Sequence, residues 1–138
     1  MRRSQEPITA IPAWIRWTTD KSGRELGLGG CNATARDLAK RGELYRMNGN
    51  WNGTQILPED WVRASTSPTA PHLVPGENEQ SAHGFGYGYQ WWLPKSGSSA
   101  FTAIGIYNQF VYVSPENSMV IVKLSSNRYY ASEDSPRA

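Results

Sequence analysis

The chain has 138 residues, a formal charge of +2 and basic side chains scattered along its length. That size suffices for one domain that would bury roughly 68% of its unfolded surface, and the scatter of Lys and Arg excludes the basic stripe that tracks a nucleic-acid backbone. A single cysteine, Cys31, excludes an internal disulfide, and no run approaches the roughly 20 apolar residues of a membrane-spanning helix.

Residues 1–13 read as an irregular lead-in. Its basic start has no apolar stretch behind it, so it is not a secretory signal, and the compartment is left unassigned with the cytoplasm as default. A turn follows at Lys21-Ser22-Gly23, then a glycine cluster at Gly27, Gly29 and Gly30, suited to close backbone approach or positive φ. The spacing predicts a helix over about 33–48. Thr34 and Asp37 form a capping pair, with Asn32 as an alternative cap, and Ala35, Leu38, Ala39, Gly42 and Tyr45 share one face. Gly49 is its stop.

Asn52-Gly53 is a turn signal. A second helix is predicted over about 58–66, with Pro58 at the first helical position, Glu59 and Asp60 near its positive end, and Trp61 and Ala64 facing inward. Residues 66–84, rich in Pro, Gly and polar groups, read as a long surface loop, of the kind that often rims a site. The stretch 85–126 reads as three antiparallel strands in a meander: "GFGYGYQWWLP", "FTAIGIYNQFVYV" and "SMVIVKLSS", with a turn at Ser114-Pro115-Glu116-Asn117 before the last. Trp91 and Trp92 point in opposite directions along a strand and read as core. Residues 131–138 form a tail, and the chain has no internal repeat.

Four segments in order, "GGCNATARDLAKRGELYRMNGN", "WNGTQILPEDWVRAST", "GYGYQWW" and "IGIYNQFVYVSPENSMVIVKLSS", resemble the C-terminal part of a β-lactamase-related serine hydrolase. The likeness is greatest to the 6-aminohexanoate-dimer hydrolase branch, with class C β-lactamases and their esterase relatives further off, and it runs from about Trp17 to Arg128. The resemblance implies an α+β fold: the C-terminal portion of the serine β-lactamase and penicillin-binding-protein architecture, an antiparallel sheet with flanking helices, its helical domain missing. It also implies an acyl-serine mechanism built on S-x-x-K and on Y-x-N or S-x-N, with a strand N–H helping to bind the oxyanion. By that likeness the Ile106 N–H is an oxyanion donor, and Asn32, Gly105, Ile106 and Tyr107 lie at the substrate. Relatives often carry Gly at the position of Asn108.

The chemistry that such a strand serves is not encoded in these residues. No lysine has a serine three residues before it; Thr18-Thr19-Asp20-Lys21 comes nearest and reads as a turn flank. No tyrosine has an asparagine two residues on, and Ser125-Ser126-Asn127 fits S-x-N only at the end of the last strand. His72 and His83 sit in the long loop without a supporting acid, too little for a metal site. Cys31 lacks an activating base and reads as a small buried thiol. Neither a metal nor another cofactor is expected.

Two functions follow. The first is a C-terminal fragment of a serine hydrolase acting on amide or ester bonds, inactive alone, its partners a small amide or ester substrate and a complementing N-terminal half. The alternative is a non-catalytic binding module that keeps the half-cleft for a small molecule or peptide. The divergent lead-in suggests an interrupted coding sequence and favours the fragment. Bare strand edges in such a fragment would promote self-association; neither nucleic acid nor membrane is an expected partner.

Overall fold

The computed structural model describes residues 16–27, 29–77, 84–95 and 97–130. The lead-in 1–13, the tail 131–138 and His83 lie outside them. Two short ribbons, two helices and a five-stranded antiparallel sheet follow one another along the chain.

Strands β1 (Arg16–Trp17) and β2 (Cys31–Asn32) pair antiparallel. Between them Asp20 organises the turn by accepting from the Ser22 and Arg24 backbone N–H groups and from the Ser22 hydroxyl. These bonds, the Ser22 hydroxyl first, hold the Asp20 carboxyl below its ordinary value. Gly30 has a φ of +80°, and a Cβ there would strike the Thr18 side chain at 2.6 Å, so the ribbon closes only on glycine.

Helix α1 (Ala35–Arg46) starts where Thr34 Oγ1 accepts from the Asp37 N–H at 3.2 Å and donates to the Asp37 carboxylate at 2.7 Å. It ends in a Schellman arrangement: Asn48 N–H bonds to the Tyr45 carbonyl, and Gly49 N–H to that of Leu44. The left-handed turn therefore begins at Asn48 (φ 51°) and continues through Gly49 (φ 81°). Next, β3 (Asn50–Trp51) and β4 (Thr54–Gln55) form a hairpin around Asn52-Gly53, both left-handed, as a two-residue type I′ turn requires.

Helix α2 spans Glu59–Ser65, with Pro58 one position earlier than expected, at the cap. Its buried residues are Val62 and Ser65, whereas Trp61 is 49% exposed and packs against Tyr89 at 5.5 Å. The inward face is thus one residue on from the expected Trp61 and Ala64, because the sheet receives Val62 beside Trp91 and Phe101. A 3-10 turn at Pro71–Leu73 lies within the long loop.

The expected meander of three strands is one of five: β5 (Gly86–Gly88), β6 (Trp91–Leu93), β7 (Phe101–Gly105), β8 (Gln109–Ser114) and β9 (Met119–Lys123), hydrogen-bonded in that order. Both extra breaks fall where non-glycine residues turn left-handed. Tyr89 and Gln90 (φ 39° and 80°) separate β5 from β6, and Tyr107 and Asn108 (φ 63° and 65°) separate β7 from β8. Apolar periodicity runs straight through both places, which hides them.

One face of the sheet packs on the helices. Trp91, Leu93, Phe101, Val111 and Val113 join Tyr45 of α1 and Val62 of α2 in the core. Trp91 lies 4.9 Å from the Tyr45 ring and 4.8 Å from that of Phe101. Helix α1 comes so close that a Cβ on Gly42 would stand 2.7 Å from Val120 Cγ1 and within 3.3 Å of Val111 and Val113. At β5 the covering layer is backbone: a Cβ on Gly88 would meet the carbonyls of Ser65 and Ser67 at 2.8 Å. That explains the alternation of glycine with aromatics, since glycines take the inner face and Tyr87 the outer. No helix among the described residues is long and apolar enough to cross a membrane.

Candidate functional site

The end of β7 is the point on which the sequence expectations converge. The backbone stays extended through Gly105 (φ −110°, ψ 164°), makes a tight turn over Ile106–Asn108, and returns at Gln109, which pairs with Gly105. A three-residue connection this short needs left-handed backbone, and Tyr107 and Asn108 supply it without a glycine. Left-handed conformation disfavours an L-residue by about 1–2 kcal/mol, and asparagine is among the side chains that tolerate it. Asn108 therefore suits its left-handed position in the turn. For Tyr107 the conformation is unusual and marks a locally strained turn. The Gln109 side chain braces it by donating from Nε2 to the Ile106 carbonyl at 3.2 Å.

The turn presents apolar surface. Ile104, Ile106 and Tyr107 are 48%, 59% and 43% exposed. A Cβ on Gly105 would touch only Gln109, at 3.7 Å, so the fold would accept alanine there. Tyr130 packs edge-on against Tyr107, with ring centroids 5.5 Å apart. It is delivered by a turn in which the Tyr130 N–H bonds to the Asn127 carbonyl and the Tyr129 N–H to Asn127 Oδ1. Tyr130 had no signal in the sequence, because a contact across 23 positions depends on where the chain turns after β9.

Gly105, Ile106 and Tyr107 are therefore contiguous at one end of the sheet. Asn32 belongs to the β1–β2 ribbon, where its Nδ2 donates to the carbonyls of Gly30 and Arg16 at 3.0 and 3.3 Å. It holds the ribbon and does not cap α1, a role that Thr34 takes. No described hydrogen bond or ring contact joins Asn32 to the Ile106 turn.

The remaining candidates fall into place locally. Thr18 Oγ1 donates to the Gly30 carbonyl at 3.3 Å, which ties the T-x-x-K stretch into the ribbon. Ser125 Oγ accepts from the Asn127 N–H, so the S-x-N stretch closes a turn after β9. Cys31 is exposed, contrary to the expected buried thiol, in a two-stranded ribbon whose four residues are all exposed. A cavity of about 260 Å³ lined by Tyr45, Val62, Arg63, Phe101 and Pro115 opens at the far end of β7 from Ile106 and includes none of the predicted site residues.

Comparison with known proteins bears directly on this arrangement. The Beta-lactamase family model matches residues 2–138. The chain belongs to the β-lactamase family. It is 33% identical over 110 residues to the 6-aminohexanoate-dimer hydrolase of Paenarthrobacter ureafaciens, a match covering 79% of this chain and 28% of that protein. A solved Bacillus anthracis protein, named as a candidate 6-aminohexanoate-dimer hydrolase, superposes with a TM-score of 0.68 at 36% identity over 80% of this chain and 28% of its own. The α+β architecture is therefore a partial β-lactamase-like fold. The chain spans 28% of the length of each of these relatives, and is a hydrolase-family fragment in that sense.

Proposed function

We propose that this chain is the oxyanion-binding part of a serine hydrolase for linear amides or esters, and that the nucleophilic serine is supplied by polypeptide outside these 138 residues. The observation that carries the reading is the Ile106–Asn108 turn, a strained, braced and exposed backbone feature at the end of β7, in a family member that contains no S-x-x-K.

The chemistry runs in two steps. The serine Oγ attacks the substrate carbonyl as a base takes its proton, and the carbonyl oxygen becomes an oxyanion that accepts from the Ile106 N–H. Collapse expels the protonated amine or alcohol and leaves an acyl-serine. Water then adds to the acyl carbon through a second oxyanion, and the serine leaves with a proton as the carboxylic acid departs. Ile104, Ile106 and Tyr107 form an apolar wall suited to an aliphatic chain, in keeping with the 6-aminohexanoate dimer named for the relatives.

Two measurements test this. Incubated with a fluorophosphonate probe, the chain alone shows no mass adduct; a stoichiometric adduct would place the nucleophile within it and overturn the reading. Combined with the unmatched remainder of the Paenarthrobacter relative, it hydrolyses the 6-aminohexanoate dimer, and Ile106→Pro, which removes the N–H, lowers kcat by about 10²–10³-fold. Full activity in that variant would remove Ile106 from the oxyanion site.

A further inference from the structure

The cavity at the far end of β7 has the composition of a small-molecule site. Strand β7 carries the chain from Phe101, in the cavity wall, to Ile106 just past the strand's end, a span of about 17 Å. The two features are therefore separate. At about 260 Å³ the cavity exceeds the roughly 150 Å³ of one that accepts benzene. Its floor is aromatic and aliphatic, because the buried side chains of Tyr45, Val62 and Phe101 line it together. Pro115, from the turn after β8, adds a further apolar wall.

Two opposite charges stand at its mouth. Glu59 and Arg63, four positions apart on α2, lie one turn from each other on the same face. Both line the cavity and both remain exposed to solvent. Arg63 reaches back to Asp60 at 2.6 Å, while Glu59 has no ion-pair partner among the described residues. The Arg63–Asp60 pair is open to water, with side chains 71% and 84% exposed, so it holds Arg63 only weakly. It also leaves guanidinium N–H groups for a second acceptor. A carboxylate and a guanidinium thus border an apolar chamber, each with capacity for a partner.

We infer that this cavity binds a free α-amino acid with an apolar side chain. The side chain enters against Tyr45, Val62 and Phe101, and an aromatic ring there meets Tyr45 and Phe101 edge-on or offset. At the mouth the ammonium pairs with the Glu59 carboxylate, and the carboxylate accepts from the Arg63 guanidinium. A purely anionic ligand would face Glu59 and a purely cationic one Arg63, so the pair selects a zwitterion over either. The terminal residue of a peptide carries only one of the two charges and is disfavoured for the same reason. The Ile106 oxyanion reading can fail without touching this site.

The test is a titration of residues 1–138 with L-phenylalanine, followed by amide chemical shifts. The expected result is saturable one-to-one binding with a Kd of about 1 mM. Shifts centre on Val62, Thr66 and Phe101 and leave Ile106 and Tyr107 in place. Phenylalaninamide lacks the carboxylate and N-acetylphenylalanine lacks the ammonium; each binds about tenfold more weakly or worse. Glu59→Gln and Arg63→Gln each weaken phenylalanine by about the same factor, and the melt of the free chain holds because both side chains are exposed. Should a variant melt early, the analogue series on the unaltered chain decides alone. The absence of a saturable shift up to about 20 mM overturns the inference. Equal binding of either singly charged analogue, undiminished binding by both variants, or shifts centred away from the cavity would overturn it too.

Discussion

The two faces of the five-stranded sheet are built from the same strands and end in different states. On the inner face Trp91, Phe101 and Val113 are 2%, 4% and 0% exposed, sealed by Tyr45 and Val62 and by the close approach of α1 at Gly42. On the outer face Tyr112 is only partly buried and Ile121 and Ile104 stand in the open, although both phases of β8 and β9 are apolar. Burial is thus decided by whether an element arrives to cover a face. The strands carry the composition for two covering layers, and the described residues provide one.

The sharpest way to probe that contrast is at the centre of the sealed face. Trp91→Ala removes the ring shared by Tyr45 and Phe101 and should lower stability by about 3–5 kcal/mol in a urea titration. A loss under about 1 kcal/mol would mean that the inner core is not packed as described. Gly42→Ala comes next. Alanine gains roughly 1 kcal/mol as a helix former, but its methyl meets Val120, Val111 and Val113 together. Overpacking of this kind costs about 1–3 kcal/mol, so a net loss is expected; a gain would show that α1 can move off the sheet.

Smaller effects come from the helix that seals the face. Thr34→Ala removes the α1 cap and should cost about 1 kcal/mol, read by the same titration. Acid should act at the same place. The Thr34 hydroxyl, and then Lys40, hold Asp37 below its ordinary value, and Arg46 does the same for Glu43. As pH falls, the unfolded chain takes up these protons before the folded one, so stability is full above the ordinary carboxylate range and declines through it. Melting temperatures measured from about pH 7 to 3 should fall, with a shallower slope in Asp37→Asn. The smallest change is expected on the open face. Ile121→Ser should alter the single chain by no more than about 0.5 kcal/mol, and a loss matching that at Trp91 would mean the outer face is already covered.

Much of the local structure was legible, and the misses share a cause. Thr34, Asn52-Gly53 and the turn after Ser114 announce themselves because a cap or tight turn is satisfied by neighbours in sequence. The breaks at Tyr89-Gln90 and Tyr107-Asn108 do not, since neither pair contains the glycine that usually marks left-handed backbone. The inward face of α2 was misplaced by one residue. Both Trp61 and Val62 are apolar, and only the position of Trp91 and Phe101 selects between them. At the candidate site, Gly105, Ile106 and Tyr107 were proposed through resemblance alone, and the structure places them together at the end of β7. Tyr130 and the bracing Gln109 required the fold.

By itself, the sequence determined the two helices, the strand-forming stretch over 85–126, the Thr34 cap, the Asn52-Gly53 turn and the absence of an S-x-x-K serine from these residues, because each depends on residues a few positions apart. Only the tertiary structure decided which apolar residues are buried, that the meander has five strands, and that Cys31 is exposed. Those outcomes depend on which surfaces meet, and a strand with apolar residues at both phases cannot specify which of its faces will be covered.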